Sequence, residues 1–417
     1  MTATPANQSG ADQSGADQSG ADQASPTERL IITVNAGSSS LKFGVVRMSD
    51  MVEIGRAEVE MIGTLKGPSA NGRGVHLDDI GNPPEGLADH AGLTAWALGR
   101  ITDIVHHLGE VVAVGHRVVH GGASFSAPVL IDDAVIEALG RLTALAPNHQ
   151  PHNLSGIAAT RQLWPDLPQV ACFDTAFHRT QPRLAQLMPI PRELSDDGIL
   201  RYGFHGLSYT HIASVLPDYA GDRADGRVIV AHLGHGASLC GMQGRRSVAT
   251  TMGFTALDGL MMGKRAGSID PGVVLHLIRD RGMSAAEVDR MLNARSGLLG
   301  VSGISADMRV LEASDDPKAE EAMALFAYRA AREAGSIAVA LGGLDVLVFT
   351  AGIGRHSAQM RARIADYLAF LGAEIDPAAN AAHGPVISAP DSRVLVLALD
   401  TDEEAVIARE TARLVFA

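Results

Sequence analysis

Six short runs of branched apolar residues, each followed by glycine or small polar residues, most constrain what this chain can fold into. The runs lie at 30–34, 111–114, 169–173, 228–231, 346–350 and 394–399. Runs this short and this apolar are typical of strands buried on both faces. Between them, apolar residues recur at spacings of three and four, which predicts helices at 93–108, 133–145, 154–163, 271–281, 319–341, 357–371 and 402–415. Strands that alternate with helices predict an α/β protein.

Length and composition narrow the function classes. The 417 residues are enough for two domains of about 100–200 residues each. A net charge of −13 argues against a sequence-independent nucleic-acid binder, which needs a basic surface. The most apolar stretch, 337–354, is interrupted by Asp345 and several glycines, so no membrane span is predicted. Two cysteines, Cys172 and Cys240, cannot build a disulfide framework, which favours a reducing, cytoplasmic compartment.

The N-terminal segment repeats QSGAD three times in succession and has neither a basic region nor an apolar region of the secretory type. Its polar, acidic composition predicts a disordered tail over residues 1–27. A second repeat is weaker, because NAGSSSL at 35–41 is similar to LGHGASL at 233–239. Each of these segments follows a predicted strand, which hints at a duplicated domain.

Three strand-to-turn segments are candidates for phosphate binding. VNAGSSSLKF at 34–43 brings glycine, three serines and a lysine directly after a strand, although it lacks the Walker A pattern. HLGHGAS at 232–238 and TAGIG at 350–354 place glycines at the same point. Any one of them could be an ordinary turn. Three such turns in one chain favour a crevice that binds phosphate or nucleotide.

Four charged or titratable residues stand in apolar or glycine-rich surroundings. Arg117 and Arg265 are candidates for bidentate recognition of an anion, with a structural ion pair as the alternative. Asp174 ends an apolar strand and His205 lies between glycines, both common placements in active sites. The alternatives are a helix cap for the aspartate and an ordinary packed histidine.

Other chemistries fit less well. The segment HQPH at 149–152 lacks a zinc pattern, and no GxSxG elbow of a serine hydrolase is present. Glu403 begins the last predicted helix directly after a strand. It either complements the helix N-terminus or serves as a carboxylate for Mg²⁺.

Seven segments, which contain candidate site residues and glycine-rich turns, follow one another along the chain. They read VNAGSSSLKF, GHRVVHGG, FDTAFH, RYGFHG, TMGFTALDGLMMGKRAGSIDPG, SGLLGVSGIS and FTAGIG. Together they resemble the acetate kinase family, including its propionate and butyrate kinases, from about Leu30 to the C-terminus.

The resemblance implies an α/β protein with the duplicated actin-like ATPase (ribonuclease H-like) fold, in which nucleotide binds in the cleft between two domains. It implies two domains in each chain, over 28–174 plus 403–417 and over 175–402. It also implies that two chains form a homodimer. The implied reaction is reversible, direct in-line transfer between ATP and acetate, which yields ADP and acetyl phosphate. It requires Mg²⁺, or Mn²⁺ in its place.

The resemblance also implies roles for single residues. The catalytic set comprises Asp174, His205, Arg265 and Arg117, with His149 and His232 as transition-state support. The acyl pocket comprises Arg117, Val119, Asn148, Phe204 and Ala256. The nucleotide and its phosphates are assigned to Lys42, Ser38, Ser40, Gly234, His235, Gly236, Asp307, Met308, Arg309, Gly352, Ile353, Gly354 and His356. The metal is assigned to Asn35 and Glu403.

Two departures from the family pattern fall in the acyl pocket. Asn148 stands where the family has an apolar residue, and Ala256 stands where it has proline. These changes predict a roomier, more polar pocket that takes longer or hydroxylated short-chain acids. One methylene is worth only about 1–3 kcal/mol, so acetate activity is still expected.

Further departures lie along the nucleotide path. His235 replaces asparagine, Met308 replaces phenylalanine, and Arg355 with His356 replaces Glu-Asn. The added positive charge points to an altered nucleotide preference or to another donor such as pyrophosphate, or the changes are neutral. Because Gly352 and Ile353 are kept, ATP remains the expected donor.

Two other function classes stay open from sequence alone. An actin-like kinase for a sugar or polyol would need an aspartate that deprotonates a hydroxyl, whereas paired arginines favour a carboxylate. A non-catalytic nucleotide-binding switch would bind ATP without forming an acyl phosphate. An inactive family member would also form none.

Overall fold

The computed structural model describes residues 28–36, 40–60, 65–66, 83–84, 87, 90–147 and 149–417. The predicted tail at 1–27 and the predicted site residues Ser38 and Asn148 lie outside these ranges. The strands in the described residues are β1 (Arg29–Ala36), β2 (Ser40–Arg47), β3 (Val52–Glu60), β4 (Leu65–Lys66), β5 (Glu110–Val118), β6 (Val129–Leu130), β7 (Gln169–Phe173), β8 (Val228–Leu233), β9 (Ala237–Gln243), β10 (Arg246–Thr250), β11 (Val346–Thr350) and β12 (Leu395–Ala398).

Fifteen α-helices lie in the described residues: α1 (His90–Val105), α2 (Asp133–Arg141), α3 (Gln150–Leu163), α4 (Arg183–Gln186), α5 (Arg192–Asp196), α6 (Gly206–Ala220), α7 (Pro271–Arg279), α8 (Ala285–Ala294), α9 (Gly297–Ser302), α10 (Met308–Glu312), α11 (Pro317–Leu341), α12 (Ala351–His356), α13 (Ala358–Tyr367), α14 (Pro377–Ala381) and α15 (Glu403–Phe416). Short 3₁₀ turns occupy Leu142–Leu145, Ala176–Thr180, Gly221–Asp225 and Ala369–Leu371. Within this described part of the chain, every helix is too short or too polar to span a bilayer.

Two sheets repeat one strand order. The first sheet is ordered β4-β3-β2-β1-β5-β7-β6, and the second is ordered β10-β9-β8-β11-β12. In each, a three-stranded antiparallel meander carries two parallel strands on its first strand, which is β1 in one sheet and β8 in the other. The prediction of a duplicated α/β fold of the actin-like ATPase type is confirmed by this repeat. The similar segments at 35–41 and 233–239 hold equivalent positions in the chain, since each includes the end of the first strand of a meander and the start of the second.

Parallel pairing brings chemical residues to one edge of each sheet. In the first sheet, Asn35 lies near the end of β1 and Arg117 near the end of β5, while Asp174 directly follows β7. In the second sheet, His232 in β8 is paired with Thr350 in β11. Since the carboxyl ends of parallel strands meet at the same edge, these side chains gather where ligands of open α/β sheets bind.

The C-terminal helix packs against the first sheet rather than the second. Val406 and Ile407 of α15 are buried with Val170 and Cys172 of β7. Gly115 of β5 makes this close approach possible, because an added Cβ would lie 2.5 Å from Ile407 Cγ2. The packing supports the predicted assignment of 403–417 to the N-terminal domain. The domain boundaries themselves stay a prediction.

Helix α11 builds the core of the second half. Asp316 caps its N-terminus by accepting from the amide of Lys318, Pro317 occupies its first turn, and Gly342 ends it in the left-handed conformation. Small residues on its inner face bring it close to β9, where an added Cβ on Gly241 would lie 2.5 Å from Ile337 Cγ2. The close packing of α11 on β9 therefore depends on these small residues.

Four predicted helices end earlier than expected. α1 stops at Val105, α2 at Arg141, α7 at Arg279 and α13 at Tyr367, whereas the apolar spacing continues for a few residues in each case. Beyond α2 and α13 the chain tightens into 3₁₀ turns, which satisfy the last carbonyls and are common at helix ends.

Candidate active site

Two adjoining cavities lie where the strand ends meet. One, called here the charged cavity, has a volume of about 470 Å³ and is lined by Asn35, Lys42, Arg56, Arg117, Val119, His149, Asp174, Phe204, His205, His232, Gly234, His235, Gly236, Ala256, Arg265, Thr401, Glu403 and Glu404. The other, called the adjoining cavity, has a volume of about 420 Å³ and is lined by Gly234, His235, Ala306, Asp307, Met308, Arg309, Glu312, Gly352, Ile353, His356 and Ser357. Gly234 and His235 belong to both, so the cavities communicate at the turn between β8 and β9.

Arg117 is fixed in one orientation by three groups. Its guanidinium donates to both carboxylate oxygens of Asp174, from Nε at 3.0 Å and from Nη2 at 2.6 Å. Its Nη1 donates to Asn35 Oδ1 at 3.1 Å, and Glu403 lies 3.7 Å away. Burial acts to lower the pKa of Arg117, but the charges of Asp174 and Glu403 outweigh it and raise that pKa. The guanidinium is therefore permanently charged and preorganised.

Arg265 is a second cation in the cavity, and within the described residues no carboxylate pairs with it. Its Nη1 donates to the backbone oxygen of Ala256 at 2.7 Å. Burial, and then the charge of Arg117, lower the pKa of Arg265. Two buried cations that repel each other bind an anion well, because the anion relieves both the repulsion and the lost hydration.

Four histidines line the charged cavity, namely His149, His205, His232 and His235, and the pKa of each lies below its ordinary value because of burial and nearby positive charge, so the rings are neutral. Burial first, and then nearby positive charge, hold the pKa of His149 at about 4 and that of His232 at about 3. The pKa of His205 also lies well below its ordinary value, because the ring is buried and close to His232, Arg117 and Arg265. His205 and His232 stack at 4.1 Å between ring centroids. Neutral imidazoles can donate hydrogen bonds to an anion without adding charge.

Carboxylates from the start of α15 face the arginines. Asp402 caps this helix by accepting from the amide of Ala405, which places the next two residues in its first turn. Burial, assisted by the charges of Asp174 and Glu404 and opposed by that of Arg117, raises the pKa of Glu403 to about 7.

The oxygen atoms on this side of the cavity suit a hard divalent cation. Asn35, Asp174 and Glu403 present oxygen donors. The pKa of Glu403 is raised chiefly by burial, and a bound cation would stabilise its ionised form. In the part of the chain that the structure describes, no three His, Cys, Asp or Glu side chains form a complete metal cluster. A few oxygen ligands fit Mg²⁺, which keeps several of its waters.

The adjoining cavity combines apolar walls with polar ends. Met308 and Ile353 supply apolar surface, and Gly352 leaves open space where a side chain would stand. Asp307 caps α10 and is held by Arg309 through a 2.6 Å hydrogen bond. Such a site suits a flat ring with a polar sugar attached.

A comparison with family models shows which protein family the chain belongs to. The model of the Acetokinase family matches residues 30–409. The chain belongs to this family. The acetate kinase of Rhodopseudomonas palustris is 52% identical over 394 residues, covering 92% of this chain and 98% of that protein. The acetate kinase of Nitrobacter hamburgensis is 50% identical over 385 residues, which cover 91% and 95% of the two chains.

Solved structures of acetokinase family members share the fold. The acetate kinase of Porphyromonas gingivalis is 34% identical with a TM-score of 0.83, over 93% of this chain and 100% of that one. A propionate kinase from Francisella tularensis is 36% identical with the same TM-score and the same coverage. The strand order described above is therefore that of the acetokinase family.

The structure brings nearly all described candidate residues of this acetokinase family member into the two cavities. An exception is Gly354, which is buried inside α12, where an added Cβ would lie 3.3 Å from the backbone carbon of Phe349. Gly354 thus lets α12 pack on the sheet rather than facing the adjoining cavity. Ser40 begins β2.

Six lining residues were not among the sequence candidates: Arg56, Thr401, Glu404, Ala306, Glu312 and Ser357. Glu404 carried a signal, since it stands beside Glu403 at a helix start. No sequence signal marks Arg56. It lies in the middle of β3, and a single arginine on a half-exposed strand cannot be told from an ordinary surface charge.

Proposed function

We propose that this chain transfers the γ-phosphoryl group of ATP to acetate, yielding ADP and acetyl phosphate, and that the reaction runs in both directions. The main support for this proposal is the pair of arginines, Arg117 and Arg265, which line the same cavity. Within the described residues, Arg265 has no carboxylate partner. The 52% identity with an acetate kinase supports the same reaction.

The acid binds in the charged cavity in this proposal. Arg265 and Arg117 attract its carboxylate, and Val119, Phe204 and Ala256 supply an apolar wall for its methyl group. A carboxylate is already an anion at neutral pH and can attack phosphorus without a general base. The work of the protein is then to hold two anions together, which needs positive charge rather than proton transfer.

ATP binds across both cavities. The adjoining cavity takes adenosine between Met308 and Ile353, and the phosphates run past Gly234 and Gly236 into the charged cavity. Glycine at 236 permits this path, because an added Cβ would lie 3.3 Å from His205 Nε2. The γ-phosphoryl group then faces the acid for direct in-line transfer.

Charge that develops on the phosphoryl oxygens is stabilised by fixed donors. Arg117, Arg265 and Lys42 supply positive charge, and His205 supplies a neutral donor, with His149 and His232 behind it. Asn35 and Glu403, beside Asp174, are the residues that would hold Mg²⁺ or Mn²⁺. A divalent cation there would neutralise phosphate charge.

A second substrate class is favoured by the wall of the acyl pocket. Ala256 leaves more room than the proline expected at its position, and Arg265 is anchored to its backbone oxygen. Longer or hydroxylated short-chain acids are the alternative substrates. The relative named as a propionate kinase is consistent with such variation within the family.

One assay separates these functions. The purified chain is incubated with Mg²⁺, hydroxylamine, and ATP, GTP or pyrophosphate against acetate, propionate, butyrate and hydroxy acids. Acyl hydroxamate with ATP and any of these acids supports the proposal, and kcat/KM ranks the acids. A wide margin for acetate contradicts the roomier pocket. If no acid yields a hydroxamate and ADP forms in the presence of a sugar, the proposed function is contradicted.

We also propose the assembly and location that the family resemblance implies. A homodimer is supported by α7, which buries none of its residues and exposes Val273, Leu275 and Ile278. A cytoplasmic location is supported by Cys172 and Cys240, both free and buried. The net charge of −13 supports small-molecule partners rather than nucleic acid. The domains remain proposed as 28–174 plus 403–417 and 175–402.

A further inference from the structure

Behind His205 lies a short chain of buried hydroxyl groups. Its ring Nδ1 is 2.8 Å from Ser238 Oγ, and that oxygen is 2.5 Å from Tyr209 Oη. Ser238 and Tyr209 are completely buried, on β9 and α6 respectively. Both hydroxyl groups are therefore cut off from solvent, and each hydrogen must find its acceptor within the protein.

The geometry allows one direction of donation. Burial raises the pKa of Tyr209, so its phenol keeps its hydrogen. In the described residues that hydrogen has one acceptor, Ser238 Oγ. The serine hydrogen then has one acceptor left, which is His205 Nδ1. Any other arrangement leaves a buried hydroxyl hydrogen without an acceptor, at a cost of about 1–3 kcal/mol.

Because Nδ1 accepts, the hydrogen of a neutral His205 ring must sit on Nε2. This atom faces the phosphate path. An added Cβ on Gly236 would lie 3.3 Å from His205 Nε2 and 3.5 Å from Arg265 Nη2, so the two donors flank the same turn. No protein acceptor for Nε2 exists among the described residues.

The neighbouring imidazole is held in the same way. His232 Nδ1 is 2.8 Å from Ser208 Oγ, to which Thr401 Oγ1 donates at 2.9 Å. Ser208 and Tyr209 are consecutive on α6, whose N-cap is His205 itself in the left-handed conformation, with φ of 60°. Helix α6 thus supplies both the hydroxyl that contacts His232 and the phenol that contacts Ser238 behind His205, so each stacked ring has a serine hydroxyl at Nδ1.

Resting on the proposed function, we propose that Tyr209 and Ser238 are positioning residues that hold His205 as its Nε2–H tautomer. In that state the ring donates to an oxygen of the phosphoryl group in flight. The wrong tautomer would present a lone pair to that anion and repel it. The catalytic group is His205, and the two hydroxyls act through it.

The test combines ¹⁵N histidine NMR of the full chain, without substrates, with steady-state kinetics. His205 is assigned by the loss of its signals in His205→Gln. The wild type is expected to show Nε2–H and a bare Nδ1, and Ser238→Ala a mixture of tautomers. Loss of a complete donor costs about 100- to 1,000-fold in kcat, so a mixed tautomer is expected to cost about tenfold or more, with KM nearly unchanged.

The matched control is Ser247→Ala. Ser247 is also a buried serine, 2.9 Å from the Nδ1 of His178, but it lines neither cavity. This variant is expected to retain kcat and the His205 tautomer. If Ser238→Ala does not fold, Tyr209→Phe is measured instead. This variant is expected to show a smaller loss of the Nε2–H tautomer of His205.

The outcomes are distinct. The proposal is overturned if the wild-type ring carries its hydrogen on Nδ1, or if the tautomer is unchanged in both Ser238→Ala and Tyr209→Phe. A changed tautomer with an unchanged kcat also overturns it. A fall in kcat without a tautomer change shows a structural role and also overturns it. The NMR result needs no turnover, so failure of the proposed function would appear separately, as a wild type that forms no acyl phosphate.

Discussion

Arg117 and Arg265 line the same cavity, yet only Arg117 is neutralised by protein carboxylates in the described residues. Asp174 binds Arg117 through two oxygens, and Glu403 lies nearby. Among the described residues, the hydrogen-bond partner of Arg265 is the backbone oxygen of Ala256. At the scale of single residues, Arg265 is therefore the cation whose charge is available to substrate.

Arg265→Ala tests that difference. Removing the charge should lower kcat by about 100- to 1,000-fold, as for loss of one donor to transition-state charge. Turnover is measured by hydroxamate formation, and folding is checked by thermal unfolding. Arg141→Ala is the control, because Arg141 forms an exposed ion pair with Glu137, worth less than about 1 kcal/mol. Near wild-type turnover in Arg265→Ala would refute the assignment.

His116 gives a prediction about stability rather than catalysis. It is buried in β5, with Nε2 2.9 Å from Gln169 Oε1, and burial lowers its pKa from 6.5 to about 4. Between these values the unfolded chain binds the proton more strongly, so the stability contributed by this group falls as pH drops from 6.5 to 4. From pH 7 to pH 5 the loss is about 2 kcal/mol.

His116→Gln should therefore lose about 2 kcal/mol less than the wild type between pH 7 and pH 5. Urea unfolding at the two pH values measures the difference. Equal acid losses in both proteins would show that His116 is protonated in the folded state or does not titrate in this range.

At the scale of elements, the parallel strands could be predicted and the antiparallel ones could not. β7 and β11 are buried throughout, so their apolar runs stand out in the sequence. Lys42 of β2 and Arg56 of β3 line the charged cavity. The pairing of these two strands shifts register between Val45 and Val46, so no single apolar alternation runs through β2.

Gly115→Ala tests how α15 is seated. An added Cβ lies 2.5 Å from Ile407 Cγ2, so the helix must shift away from β5, at about 1–3 kcal/mol. Because Glu403 begins α15, the displacement should also raise the Mg²⁺ concentration needed for half-maximal rate. The thermal midpoint and a Mg²⁺ titration measure the two effects.

Gly140→Ala is the matched control for that experiment. Among the described residues, and apart from the neighbouring backbone of α2, no atom lies within 4 Å of a Cβ placed at Gly140, so alanine there should be neutral or stabilise by about 0.5–1 kcal/mol. A Gly115→Ala variant as stable and as active as this control would contradict the packing argument.

The site was predictable where glycine, arginine and histidine follow parallel strands, since strand ends converge whatever the rest of the chain does. The link between His205, Ser238 and Tyr209 was not, because these residues come from α6 and β9 and meet only through the tertiary fold. Serine and tyrosine inside an apolar pattern give no signal that their hydroxyls are paired.

At the scale of the whole molecule, an acidic protein holds a compact cationic centre. The net charge is −13, yet Arg117, Arg265 and Lys42 converge on one cavity between two sheets of the same strand order. Salt screens the distant acidic groups over about 8–10 Å, so the local cations dominate what a bound anion experiences. Duplication of one fold unit thus creates a cleft to which each half contributes an arginine.

The central claim, that a carboxylate oxygen attacks the γ-phosphorus of ATP in this cavity, is tested most directly by ³¹P NMR with ¹⁸O-labelled acetate. The account predicts ADP together with acetyl phosphate whose phosphorus resonance carries the isotope shift of a bridging ¹⁸O. That label can arrive only if an acetate oxygen forms the new bond to phosphorus. Unlabelled acetyl phosphate, or ADP accompanied only by inorganic phosphate, would contradict it.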